Sequence, residues 1–150
     1  NDNILNFSDI IYVHNEIENK DEVVNKIKNK NKTPGIVLHS INKYTNLEKI
    51  IDQFNQILIL SIKKPGFSGQ EFNEKSYKLI EQINSTKSRN RLTVCVDGGV
   101  KSKIINKFIS EKVVSGSEVL NNKNPIRKIM SLQTLARYEK WKLASQLSMK

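Results

Sequence analysis

Short aliphatic runs alternate with stretches of helical periodicity five times along the chain, and this alternation constrains the fold more than any other feature. Strands are expected at 10–14, 35–39, 56–62, 92–97 and 112–115. The run 56–62 (Gln-Ile-Leu-Ile-Leu-Ser-Ile) is almost continuously apolar, as a parallel strand covered on both faces must be. Residues 21–30 carry Val23, Val24 and Ile27 at helical spacing, and 46–54 carry Leu47, Ile50, Ile51 and Phe54 as one apolar face. Further helices are expected at 73–83, at 101–110, and from Pro125 through Trp141. Thr33-Pro34-Gly35 reads as punctuation before the second strand. Strand–helix alternation of this kind is the signature of an α/β parallel sheet, its strands in sequential order.

Hydrophobic residues at 37% and charged residues at 27% suffice for a packed core and exclude wholesale disorder. No apolar stretch reaches the roughly 18 residues of a membrane span, and no signal-peptide pattern opens the chain. An intracellular protein, cytoplasmic or in an organellar matrix and not secreted, is therefore expected. Cys95 is the sole cysteine, which excludes an intramolecular disulfide framework, and no Cys/His spacing suggests structural zinc. Twenty-five Lys+Arg against 15 Asp+Glu give +10 and a pI near 9.7. That charge suits a phosphorylated ligand or a polyanion such as nucleic acid, although a general compositional bias would leave the same lysines. The basic segment 26–32 reads as a solvated helix end and loop. The chain opens on Asn1 rather than Met, as a processed, trimmed or partial chain would.

Three glycine-bearing segments follow three successive expected strands: residues 65–70 (Pro-Gly-Phe-Ser-Gly-Gln), Asp97-Gly98-Gly99-Val100 and Ser115-Gly116-Ser117. Glycine lets backbone N–H groups approach an anion closely, and loops after parallel strands gather on one face. Each segment alone is equally a turn; together they point to a ligand site. Asp97 emerges directly from a buried strand into that face, as either a ligand-site carboxylate or the N-cap of the helix expected next. His14 and His39 also lie at strand ends, where a lone histidine is more often a hydrogen-bonded scaffold residue.

Residues 65–72, Val96-Asp97-Gly98-Gly99-Val100 and Val114-Ser115-Gly116-Ser117 resemble, in the right order, three signatures of the ribulose-phosphate 3-epimerases. Val13-His14-Asn15-Glu16 is similar to that family's fourth strand and Gly35-Ile36-Val37-Leu38 to its fifth. The resemblance implies a ribulose-phosphate-binding (β/α)8, or TIM, barrel, here from the fourth strand onward. It also implies an isomerase of pentose phosphate and carbohydrate metabolism that interconverts D-ribulose 5-phosphate and D-xylulose 5-phosphate. Two aspartates on opposite faces of the sugar would exchange the C3 proton, with a divalent metal (Zn, Fe or Mn) as Lewis acid. Asp97 matches the second aspartate, which is also a metal ligand. Gly66, Phe67, Ser68 and Gly69 match the loop over the substrate, and Gly98, Gly99, Gly116 and Ser117 match the phosphate cradle. His14 matches a position that is not a metal ligand.

The departures are as informative. Strands one to three, with the family's other aspartate and three of its four metal ligands, have no counterpart here, so the 150 residues alone are expected to be inactive. Ser68 replaces a loop glycine, Leu60 stands where the family has methionine, and His39-Ser40 replaces the usual Asn/Lys-Pro. The alternative is a pseudoenzyme: an epimerase-derived structural subunit, in a homo-oligomer or larger complex such as a ribonucleoprotein. Residues 1–131 are expected to form the partial barrel. Residues 132–150, with Leu132, Leu135, Tyr138, Trp141, Leu143 and Leu147 among Arg137, Lys140, Lys142 and Lys150, are expected to form a basic amphipathic helix or tail. It is either a final barrel helix packed on its own sheet or a helix that docks on another subunit or on nucleic-acid phosphate.

Overall fold

A computed structural model describes residues 7–67 and 69–147, with side chains as far as Arg137. Its sheet has five parallel strands in sequential order: β1 (Ile10–His14), β2 (Thr33–His39), β3 (Gln56–Leu60), β4 (Thr93–Asp97) and β5 (Lys112–Val114). Helices α1 (Lys20–Asn29), α2 (Leu47–Ile51) and α3 (Lys75–Asn84) connect the first four strands. A single-turn helix α4 (Ser117–Leu120) and the long α5 (Pro125–Leu147) follow β5.

One layer of the core lies between sheet and helices. Ile36, Leu38, Ile57, Ile59, Val94 and Val96 meet Ile27, Ile51, Leu79, Ile80 and Ile83 there. Leu132 of α5 is buried in the same cluster, with Leu135 and Ala136 packed against it. Strand side chains alternate faces, so Tyr12, His14, Val37, His39, Leu58, Leu60, Cys95 and Asp97 share the other, inner face. Gly35 belongs to that face, and a Cβ there would lie 2.5 Å from Tyr12 Cδ1, so glycine leaves room for the ring.

Three expectations change. Thr33-Pro34-Gly35 is not punctuation but the start of β2; Pro34 sits where a strand begins and the Thr33 N–H reaches Asp9 O at 2.9 Å. Residues 101–110 form successive turns, not a helix. Their side chains are pulled in different directions. Ser102 bonds Glu118, Ile105 enters the core, Phe108 stacks on Phe72 at 5.8 Å, and Asn84 holds Ile109 O at 3.1 Å. The helix expected at 46–54 stops at Ile51, because the Arg91 guanidinium donates to Ile51 O at 3.0 Å and Phe54 O at 2.8 Å, satisfying carbonyls at the helix end.

Candidate functional site

Parallel strands deliver all their following loops to one end of the sheet, and there the backbone is tied across strands. Ser40 N–H donates to Leu60 O at 3.1 Å, and Ser61 N–H to Asp97 O at 2.8 Å. The Ser61 hydroxyl, fully buried, lies 2.7 Å from both Asp97 O and Gly98 O. Asn73 N–H donates to Ser61 O at 2.7 Å. Ser61 thus ties the start of the 61–72 loop to the turn after β4. Its one signal in the sequence is a hydroxyl inside the apolar run 56–62, which no motif singles out.

Asp97 closes β4 on the inner face, beside Leu60 on β3 and Val114 on β5. Burial raises its carboxyl above the ordinary aspartate value. With residues 101–110 in turns, Asp97 precedes no helix and is not an N-cap. Gly98 (φ +115°) and Gly99 (φ +65°) follow it. A Cβ on Gly98 would lie 2.5 Å from Ile62 Cγ2, and one on Gly99 would lie 2.8 Å from Phe72 Cα. Both glycines are therefore required by backbone geometry and close packing, whatever they bind.

Gly66 (φ +89°) and Gly69 (φ +76°) stand with open space around their Cα atoms, and Phe67 is 69% exposed. Ser68 lies outside the described residues. The base of this loop is held by Gln70, whose amide accepts from Lys64 N–H at 3.0 Å and donates to Lys64 O and Phe67 O. Gly116 has ordinary backbone angles and open space too, and Ser117 begins α4. Ser115 Oγ donates to Val100 O at 2.7 Å, which draws the β5 loop towards the β4 loop.

At the other edge, His14 faces Glu16 at 3.9 Å, both half exposed. His39 is buried, its Nε2 lying 2.7 Å from Ile62 O. Its N–H donates to the Tyr44 hydroxyl at 2.7 Å, and that hydroxyl is pushed up to about 12, chiefly by burial and then by the charge of Glu16. His39 and Tyr44 thus fix the β2 loop to the root of the β3 loop. His39 has the scaffold role expected of it; Tyr44 carried no signal in the sequence.

A divalent metal requires several donors around one point. Among the described residues no group of three or more His, Cys, Asp or Glu could hold one. Asp97 is a single carboxylate, so these residues do not by themselves fit the metal that the resemblance implies. No helix among the described residues is long and apolar enough to cross a membrane.

Residues 3–120 match the sequence model of the ribulose-phosphate 3-epimerase family. The chain belongs to that family. A ribulose-phosphate 3-epimerase of Helicobacter pylori (strain ATCC 700392 / 26695) is 34% identical over 134 residues, which cover 84% of this chain and 60% of the relative. The chloroplastic ribulose-5-phosphate-3-epimerase of Arabidopsis thaliana is 29% identical over 138 residues, 87% of this chain and 49% of the relative. The chain thus spans about half to three fifths of the length of the curated relatives it matches. Two solved structures share the fold. The 3-hexulose-6-phosphate synthase from Salmonella typhimurium superposes with a TM-score of 0.66 at 11% identity, over 88% of this chain and 63% of that one. KGPDC from Streptococcus mutans gives 0.51 at 15% identity, over 87% and 61%.

Proposed function

We propose that these residues form the phosphate-binding and single-carboxylate half of a ribulose-phosphate 3-epimerase site. The observation that carries the reading is Asp97, a carboxylate with a raised pKa on the inner face, directly followed by the Gly98-Gly99 turn. Backbone N–H groups of Gly98, Gly99, Gly116 and Ser117 hold the phosphate of D-ribulose 5-phosphate or D-xylulose 5-phosphate. Gly66, Phe67, Ser68 and Gly69 lie over the bound sugar. Asp97 takes or returns the C3 proton from one side; its desolvation strengthens it as a base once ionised. A proton removed and replaced by the same group on the same face leaves C3 unchanged, so epimerisation needs a second group on the opposite face. The 1–131 portion supplies the site, and α5 supports it through Leu132.

The test uses Gly116→Val, because that position has ordinary angles and free space. Stability within about 0.5 kcal/mol of the parent is expected, with affinity for inorganic phosphate, read by titration calorimetry, down roughly tenfold. The 150 residues alone are expected to bind pentose phosphate without inverting C3, as followed by NMR in deuterated water. Unchanged phosphate affinity in Gly116→Val would remove the cradle from this reading.

A further inference from the structure

Glu118 follows directly on Ser117, and its carboxylate joins three segments of the chain. Lys128 on α5 lies 2.6 Å from its Oε1, and the Ser102 hydroxyl on the loop after β4 donates to the same oxygen at 2.9 Å. Lys128 Nζ also donates to Ser102 Oγ at 2.8 Å, which closes a triangle. The Lys128 and Glu118 side chains are only 20% and 21% exposed. Lys128 first, and then Ser102, hold the Glu118 carboxyl below its ordinary value. One turn further along α5, Leu132 is buried in the core, so the lysine stands on a fixed helix. A cavity of about 320 Å³ opens beside the triangle, lined by Lys101, Ser117, Glu118, Asn121, Asn122 and Lys128.

A carboxylate beside an anion site repels the anion, so attraction is not what Glu118 contributes there. The four cradle residues lie on two loops that are held differently. Gly98 is wedged against Ile62 and Gly99 against the backbone of residues 71–72, whereas a Cβ on Gly116 would meet nothing within 4 Å. Packing fixes the first pair and does not wedge the second. Hydrogen bonds reach the second loop from the first instead: Ser115 Oγ to Val100 O at 2.7 Å before Gly116, and Ser102 to Glu118 after Ser117. We propose, on the cradle reading above, that Glu118 is a positioning residue, held by Lys128 and Ser102, that sets the Gly116 and Ser117 N–H groups facing those of Gly98 and Gly99. Two loops aligned before the ligand arrives bind it more tightly than loops aligned for part of the time. Lys128 has a second effect, cancelling the charge that Glu118 would otherwise turn on the phosphate.

The deciding variant is Glu118→Gln, with inorganic phosphate as the probe in titration calorimetry. Affinity is expected to fall roughly fivefold, because the lost ion pair unhooks the loop. Charge alone predicts the opposite sign, since the variant removes a negative group beside an anion. Lys128→Met is expected to lose at least as much, and Lys128→Arg, which keeps the pair, to stay within about twofold of the parent. A second readout needs no ligand. The N–H groups of Val119, Leu120 and Asn121 bond to the carbonyls of Gly116 and Ser117, and their exchange is expected to quicken roughly tenfold in Glu118→Gln and Lys128→Met. Unchanged exchange there would overturn the inference. So would a phosphate affinity in Glu118→Gln equal to or above the parent's while Gly116→Val still weakens binding, and the proposed function would then stand. If Gly116→Val leaves phosphate affinity unchanged, the proposed function fails instead, and exchange at 119–121 decides whether Glu118 ties the loops.

Discussion

The two ends of the sheet are held by different means. At the amino ends, long charged side chains reach across from loop to strand. Arg89 lies 2.6 Å from Glu111 and donates to Asn84 Oδ1 at 2.6 Å and Leu92 O at 3.1 Å. Glu111 in turn accepts the Val94 N–H at 2.8 Å, and Arg91 binds Asp52 at 3.0 Å along with the carbonyls of Ile51 and Phe54. At the carboxyl ends most ties are short: the Ser61 and Ser115 hydroxyls, Gly98 against Ile62, Gly99 against the backbone of residues 71–72, and a histidine on a carbonyl. An ion pair, Lys128 to Glu118 at 2.6 Å, joins the helices that follow β5. Arginine satisfies many acceptors from one flexible stem, and therefore fills the space it spans. Glycine and serine hold backbone in place while leaving the space above it empty. The first arrangement suits an end that only has to hold, and the second an end that has to admit a ligand.

The sharpest way to break this comparison is Gly99→Ala. A Cβ would meet the backbone of residues 71–72 at a φ of +65°, so a loss of more than about 3 kcal/mol is expected in urea denaturation. A loss below 0.5 kcal/mol would mean that the β3 and β4 loops are not locked together, contrary to the close packing described. Next in size is Arg89→Met. Burial pushes the Glu111 carboxyl up, but Arg89 and the Val94 N–H outweigh it and hold the carboxyl below its ordinary value. Its contribution is therefore present above the ordinary glutamate range and lost as pH falls through the lowered value. Arg89→Met is expected to lose about 2 kcal/mol at pH 7, the deficit shrinking towards pH 3, in denaturation curves at both. An equal deficit at the two values would show that the arginine acts through packing alone.

The smallest effect is opposite in sign. Asp97 has a raised carboxyl, so its contribution is complete below the ordinary aspartate value and is lost as pH rises through the raised one. Asp97→Asn is expected to raise the melting temperature at pH 7 by roughly 2 °C, with no gain at pH 3. A lower melting temperature at pH 7 would mean that the ionised carboxylate stabilises the fold, and the contrast between the two ends would weaken.

The carboxyl end was far more legible in the sequence than the amino end. All five strands are read from aliphatic runs because a doubly covered parallel strand tolerates little else. Asp97 and the glycine turns stand out because glycine after a strand is informative. Arg91 and Glu111 gave no signal, since their partners lie between 17 and 40 residues away. Arg89 gave none because its ion-pair partner Glu111 lies 22 residues away and its nearer partners are a carbonyl and an amide that any sequence offers. The failure at 101–110 has the same origin. Ile104, Ile105, Phe108 and Ile109 fit a helical period, but tertiary bonds from Asn84 and Glu118 set the path of the backbone.

Cys95 gives this protein a built-in clock. It is the sole thiol, buried at the middle of β4 opposite Lys112, and burial followed by the nearby Asp97 charge pushes its pKa up. The folded chain therefore presents almost no thiolate at neutral pH, and an alkylating reagent reacts with it slowly until local opening brings the thiol to solvent. The labelling rate of one atom then reports how well the middle of β4 stays covered, without any added probe.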